Sequence, residues 1–438
     1  MRCSPIGVFA GWENEKIGNG NPGELREIRM KKRTFKGFRL HIGLFGRRNV
    51  GKSSLLNAMT RQNVSIVSDV AGTTTDPVEK PMEFLPLGPV LFIDTAGVDD
   101  VGALGAARVD RTNRALDRTD LGVIVSDGEW TTFEQTLLER FTDTGVPVAV
   151  VFNKSDISMP ASELVQKLES QRISVVSTQA NAHKGLRELR EVLLKIAPED
   201  FIGNIPIVAD LVAPGETAVL VVPIDKEAPR GRLILPQVQT IRDLLDNDAI
   251  AVVVKERELR RAIENFRQPP ALVVTDSQAF LKVAADTPPQ IPMTSFSVLF
   301  SRFKGDLTTQ VQGTLSVDAL RPGDRILVAE ACSHHPIGED IGRVKIPRWL
   351  TQYVGGKLDF QHVQGHDFPD NLDEYKLVIH CGGCMFNRRA MLSRVQRCRD
   401  AGVPITNYGL VIAYSLGIFE RALGPFPAAL QAVHDARK

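Results

Sequence analysis

The run Gly46-Arg47-Arg48-Asn49-Val50-Gly51-Lys52-Ser53-Ser54 contains the spacing G-x-x-x-x-G-K-S/T, which builds a phosphate cradle. It follows an apolar run, Leu40–Phe45, and opens a helical period, Ser53–Met59. In that context backbone N–H groups of the turn and of the helix N-terminus point at phosphate oxygens. Lys52 would reach the β- and γ-phosphates, and the Ser53 hydroxyl would ligate Mg2+. A chance glycine-rich turn is the bland alternative, and three further motifs count against it. Asp94-Thr-Ala-Gly97 follows the run Val90–Ile93; it offers a carboxylate for the magnesium shell and the Gly97 N–H for the γ-phosphate. Asn153-Lys154-Ser-Asp156 follows Val148–Phe152. The Asp156 carboxylate can accept hydrogen bonds from guanine N1–H and the exocyclic amine, a pair that adenine does not offer. The Lys154 stem can cover the base plane. Ser177-Thr178, after Ile173–Val176, stands where a loop buttressing the base belongs. The set reads as a GTP/GDP site, and the order Lys52, Asp94, Asn153, Ser177 resembles the translation-factor-like class of GTPases. That class often has Ser-Ala in the last loop, where this chain has Thr178.

Between Lys52 and Asp94 lies Ala71-Gly-Thr-Thr-Thr-Asp76, which resembles a first switch loop; Thr74 is the threonine expected to close over magnesium. Many small GTPases carry a Gln just after the D-x-x-G motif to orient the attacking water. Here that position is Val98, and an apolar side chain orders no water, so hydrolysis is expected to be slow or to be assisted by another charge. Asn49 lies three residues before Lys52, where potassium-activated GTPases use an Asn to hold K+. Its other reading is as a turn residue.

A second constellation is Cys332-Ser-His334 with His380-Cys381-Gly-Gly-Cys384. The C-x-x-C spacing lets two thiolates face one metal, and Cys332 arrives from another turn. Each group follows a strand-like run, so all can converge at one sheet edge. Three thiolates suit a 4Fe-4S cluster with one iron left to a weaker ligand. Three thiolates plus a His suit structural zinc equally well, and unliganded structural cysteines are the third reading. Cys398 sits in a helical period and reads as a buried apolar residue.

These groups need elements to position them. From Leu40 to about 197, short apolar runs alternate with helical periods, which predicts βαβ units and a mostly parallel sheet. A second α/β region follows, with strand-like Ile207–Val212, Ala218–Val222, Ile250–Val254 and Ala271–Thr275. It has no phosphate loop or catalytic cluster and reads as structural or self-associating. A third α/β region carries the cysteines. The expected partition is a leader at 1–37, a P-loop GTPase domain at 38–200, a smaller domain at 204–297 and a cysteine-bearing domain at 298–438. The net charge of +1, from 53 basic against 52 acidic residues, argues against a dedicated nucleic-acid binder. No apolar run reaches the ~18 residues of a membrane span. Five cysteines, most in the last quarter, read as metal binding in a reducing, cytoplasmic setting rather than a disulfide framework.

The pairing of Leu40-His-Ile-Gly-Leu-Phe-Gly-Arg-Arg-Asn-Val-Gly-Lys-Ser with a downstream C-x-H and H-C-x-x-C resembles the GTPases of FeFe-hydrogenase maturation, HydF. Met385-Phe-Asn-Arg-Arg389 and Val403-Pro-Ile-Thr-Asn-Tyr-Gly409 add to the match. The resemblance runs from about residue 38 to the end. It implies a scaffold that carries a precursor of the hydrogenase di-iron subcluster to apo FeFe-hydrogenase and works with two radical-SAM maturases. It implies GTPase, dimerisation and cluster-binding domains in a homodimer or larger homo-oligomer. The family's three cluster cysteines carry over onto Cys332, Cys381 and Cys384. Its fourth ligand varies, which leaves His334, His380 and Glu330 as candidates.

Overall fold

β-branched runs flanked by helical periods become three sheets in a computed structural model, which describes residues 39–60, 78–84, 87–95, 112–198, 206–223, 233–331 and 340–437. The leader, Thr74, Gly97, Val98, Cys332 and His334 lie outside the described residues, all of which belong to one unit, Phe35–Lys438.

The first sheet holds β1 (Leu40–Phe45), β2 (Val78–Phe84), β3 (Gly88–Asp94), β4 (Leu121–Ser126), β5 (Val148–Phe152) and β6 (Ser174–Ser177), in the order β2-β3-β1-β4-β5-β6. Only the β2–β3 pair is antiparallel. Every residue of β4 and β5 is buried, as expected where helices cover both faces of a parallel sheet. The two-residue period of β1 sends Leu40, Ile42 and Leu44 to one face, where they meet Leu55 and Leu56 of the helix Lys52–Thr60 and Leu189 and Leu193 of the helix Leu186–Ile196. Phe45 turns to the other face, against Leu137 and Phe141 of the helix Thr132–Asp143 and Leu168 of the helix Ser162–Ser170.

The second sheet, order β10-β9-β7-β8, is wholly parallel and contains β7 (Thr217–Val221), β8 (Ile250–Val254), β9 (Leu272–Thr275) and β10 (Met293–Ser295). The strand expected at Ile207–Val212 is not formed. Instead the N–H groups of Ile207, Val208 and Ala209 converge on Asp243 Oδ2 at 3.0, 2.7 and 2.8 Å. A buried carboxylate collects donors in this way to offset its lost hydration, and the chain bends around it.

The third sheet, order β12-β11-β13-β14, is also parallel: β11 (Arg325–Glu330), β12 (Asp359–Gln364), β13 (Leu377–His380) and β14 (Ile405–Asn407). The helix Phe296–Lys304 joins it to the second sheet. Phe296, Val298, Leu299, Phe300 and Phe303 of this helix lie in one continuous core with residues of both sheets. The boundary drawn at 297/298 therefore falls inside a shared helix, and the two regions fold around common apolar contacts. Among the described residues, no helix is long and apolar enough to cross a membrane.

Candidate functional site

The phosphate loop leaves the carboxyl end of β1 and enters the helix Lys52–Thr60. At Gly51, φ is 94°, and a Cβ there would stand 2.2 Å from Asn153 Nδ2, so this position admits only glycine. Lys52 is buried, and its Nζ donates to the carbonyls of Gly46 and Arg47 at 2.8 and 2.7 Å, which holds the ammonium within the loop. The Ser53 hydroxyl donates to Asp94 Oδ2 at 2.6 Å. Two of the three residues assigned to magnesium from sequence, Ser53 and Asp94, are thus neighbours although 41 residues apart in the chain.

Asn153 does more than mark a motif. Its Nδ2 donates to the Val50 carbonyl at 3.1 Å, and its Oδ1 accepts from Thr178 Oγ1 and the Ala180 N–H, each at 3.1 Å. One buried amide therefore ties the phosphate loop to both base-side loops. Thr178, the departure from Ser-Ala, supplies one of those bonds through a hydroxyl that alanine lacks. Lys154 has φ 57° and donates from Nζ to the Asn49 carbonyl at 2.5 Å. Asn49 is exposed with φ 62°, a backbone state that Asn tolerates better than most residues, so the turn reading of Asn49 has a structural basis of its own. Asp156 and Ser177 are exposed at the same sheet edge. Arg47 reaches away, to Glu129, Asp127 and Glu134 at 2.6, 3.1 and 2.9 Å. Arg48 and Ser54 are half-buried beside the loop.

The cysteines follow the same logic on the third sheet. β13 ends at His380, and Cys381 and Cys384, both half-buried, occupy the turn that follows. Cys381 Sγ accepts hydrogen bonds from the N–H groups of Ala331 at 3.1 Å and Gly383 at 3.4 Å. Ala331 ends the described stretch that follows β11, so this bond joins the end of β11 to the Cys381 turn; Cys332 itself lies outside the described residues. His380 is fully buried; its Nδ1 donates to the Cys381 carbonyl, and its Nε2 accepts from Arg394, both at 2.8 Å. Burial, and then Arg394, push its pKa down to about 3, and the neutral ring is locked with both nitrogens in use. Glu330, at the end of β11, accepts from Gln364 Nε2 at 2.9 Å and from the Tyr408 hydroxyl at 3.3 Å. Among the described residues no group of three or more His, Cys, Asp or Glu gathers as metal ligands would. Cys398 is fully buried, as its helical period suggested, and burial pushes its thiol up to about 12.

Behind the first sheet, away from the phosphate loop, the cysteine region meets the GTPase domain. Asn387 Nδ2 donates to the Arg118 carbonyl and to Asp120 Oδ2, at 2.8 and 2.9 Å. The His41 N–H donates to the same Asp120 oxygen at 2.8 Å. Arg118 pairs with Glu79 of β2 and reaches His366 Nε2 at 3.3 Å, and His366 stacks on Phe386. Arg389 donates to the Thr144 carbonyl at 2.7 Å. Sequence reading marked Met385–Arg389 as a motif without a role; the structure makes it the seam.

Comparison with known proteins finds three family matches along the chain. Residues 41–154 match the family described as 50S ribosome-binding GTPase. Residues 207–305 match the hydrogen maturase F dimerization domain, and residues 308–425 the hydrogen maturase F tetramerization domain. GTPase Der of Wolinella succinogenes is 36% identical over 180 residues, 38% of this chain and 37% of that protein. The tRNA modification GTPase MnmE of Chromobacterium violaceum is 38% identical over 160 residues, 36% of this chain and 34% of that protein. The chain thus spans about a third of the length of these curated relatives. Among solved structures, an Aquifex aeolicus Era variant bound to GDP·AlF4– has a TM-score of 0.33 at 22% identity, covering 51% of this chain and 96% of that one.

The tie through Asn153 yields a prediction. In Asn153→Ala the Thr178 hydroxyl and the Ala180 N–H lose their buried acceptor, and the loops lose their common anchor. Nucleotide affinity is expected to fall by about 2–3 kcal/mol, since each orphaned buried partner costs ~1–3 kcal/mol. Isothermal titration with GDP reads this directly; wild-type affinity in the variant would show that the loops hold without the amide.

Proposed function

The chain belongs to the HydF hydrogen maturase family, and on that premise we propose that it is a GTP-hydrolysing scaffold that binds a 4Fe-4S cluster and delivers a di-iron subcluster precursor to apo FeFe-hydrogenase. The observation that carries this reading is the presence, in one unit, of a phosphate loop joined to a magnesium carboxylate and a C-x-x-C turn whose sulfur accepts two backbone N–H bonds.

At the nucleotide site, Lys52 takes the β- and γ-phosphates once they displace its carbonyl partners. Ser53, Asp94 and Thr74 would hold Mg2+, Gly97 would sense the γ-phosphate, and Asp156 would read guanine. Asn49 positions K+ where the charge missing at Val98 is needed. Hydrolysis is then expected to run faster in KCl than in NaCl at equal ionic strength. Equal rates at unchanged nucleotide affinity would remove the cation from the account.

The donor set fits an iron–sulfur cluster on its chemistry. Soft thiolates with N–H donors on sulfur, beside the buried cations Lys304 and Arg394, would stabilise an anionic thiolate-bound centre. Cys332, Cys381 and Cys384 are the ligands we assign. Bound there, the cluster supplies an iron site to which a precursor can attach. His380 and Glu330 already carry partners, and His334 remains the third candidate for the fourth ligand.

Dimerization and tetramerization domains support homo-oligomerisation. Among the described residues β8 is an edge strand paired with β7 alone, and it exposes Ile250 and Val253 beside Val238 and Leu245 of the neighbouring helix Leu235–Asp246. An exposed apolar edge is a template for pairing, and we assign it to a second copy. The two radical-SAM maturases, the apo-hydrogenase and a reducing cytoplasm complete the reading, all on the family's footing. Val253→Lys is expected to shift the smallest oligomer toward monomer in light scattering; an unchanged mass would move the dimer contact elsewhere.

The scaffold reading is tested by separating the two sites. Cys381→Ser is expected to lose iron and keep GTPase activity, and Lys52→Ala to do the reverse. Both should fail to activate apo-hydrogenase in a reconstituted maturation assay. A Cys381→Ser protein that matures hydrogenase at wild-type yield would overturn the assignment.

A further inference from the structure

The helix Phe296–Lys304 ends beneath the cysteine turn. Lys304 is 2% exposed, and its Nζ donates to the carbonyls of Gly383, Cys384 and Phe386 at 3.0, 2.9 and 2.6 Å. Carbonyl oxygens from one short turn repel each other when they converge, and a central ammonium removes that repulsion while meeting the buried acceptors. Gly383, at φ 63°, lets the chain fold back far enough for this convergence. The lysine thus shapes the loop that carries Cys384.

Its charge matters as well. A buried ammonium is costly unless anions face it. The Lys304 ammonium is held inside the turn that carries Cys381 and Cys384. Arg394 approaches from the helix Arg388–Asp400. It donates to His380 Nε2 and the Gly365 carbonyl, at 2.8 and 2.6 Å, and lies over the rings of Phe386 and Phe368. Two cations on separate helices therefore flank one cysteine pair, an arrangement suited to sulfurs held as thiolates on a metal.

We propose that Lys304 is a positioning residue of the thiolate centre, which both builds the C-x-x-C turn and favours the more negative state of the metal group bound there. This rests on the cluster reading above. The reductive step is the entry of one electron into the cluster, with dithionite as donor in the assay and no bond broken.

The test compares full-length wild-type, Lys304→Met and Lys304→Arg proteins after anaerobic reconstitution, with circular dichroism as the check on folding. Iron and sulfide per chain are measured, and the reduced-to-oxidised ratio is followed by electron paramagnetic resonance during dithionite titration. Lys304→Met is expected to retain several-fold less iron. Its remaining centre should show about a tenfold lower reduced-to-oxidised ratio at the same solution potential, a shift of about 59 mV for one electron. Lys304→Arg keeps the charge and should restore the ratio with only part of the iron. If Lys304→Met does not fold, Lys304→Arg carries the test: a ratio tenfold below wild type would overturn the charge role, and a wild-type iron content the shaping role. A Co2+ titration of the metal-free proteins reads the turn independently, with a tenfold loss of affinity expected in Lys304→Met. Wild-type iron content, ratio and Co2+ affinity in Lys304→Met would overturn this inference alone. A wild-type protein that takes up neither iron nor Co2+ would overturn it together with the cluster reading.

Discussion

Strand polarity is the constraint on which the rest depends. In a parallel sheet, every strand ends at the same edge, so the loops leaving the carboxyl ends converge there and their residues become neighbours. The first sheet uses this to bring Gly46, Asp94, Asn153 and Ser177 together from four strands. The third sheet repeats it, placing Glu330, Gln364, His380 and Asn407 at the ends of four parallel strands. The chemistry differs because the residues at the edge differ: one edge opens into a helix N-terminus that receives phosphate, the other into a turn that presents sulfur.

The two edges are held apart and also joined. The seam contacts β1 at His41 and the approach to β4 at Asp120, the amino ends of strands whose carboxyl ends face the nucleotide. β1 is six residues long, so about 20 Å of sheet, at ~3.3 Å per residue, lies between seam and phosphate loop. Burial pushes His41 down to about 3 and Asp120 up to about 6. At neutral pH the His41 imidazole is therefore neutral and the Asp120 carboxylate accepts from Asn387 and the His41 N–H and faces the charge of Arg389. Such a join is polar and specific rather than greasy. Arg118 binds Glu79 of β2 on one side and His366 of the cysteine region on the other.

What could be read from sequence follows the range of the interactions. The phosphate loop was legible because its chemistry lies in consecutive residues and its strand and helix flank it directly. The joining of Asn153 to Val50 and Thr178 was not, since it spans 103 and 25 residues. The clamp of Lys304 on Gly383 spans 79 residues, and nothing in the local pattern around Lys304 distinguishes it from a surface lysine at a helix C-terminus. Ile207–Val212 misled because an apolar run is compatible with a strand, while the decisive partner, Asp243, sits some 35 residues later. The edge strand β12, Asp-Phe-Gln-His-Val-Gln, carries polar residues on both faces and none of its residues is fully buried, so it lacked the continuous apolar signal of its buried neighbours. The C-x-x-C spacing of Cys381 and Cys384 was visible in the sequence; the buried Lys304 and Arg394 and the N–H groups on Cys381 Sγ were not.

The central claim is that a GTPase of this build carries an iron–sulfur centre in the same chain. The ultraviolet–visible spectrum of anaerobically purified wild-type protein, taken with its iron, sulfide and zinc content, tests this most directly. The account predicts a brown protein whose broad visible absorbance bleaches on adding dithionite, with iron and acid-labile sulfide in equal amounts. A colourless protein that binds GTP and contains stoichiometric zinc would contradict it.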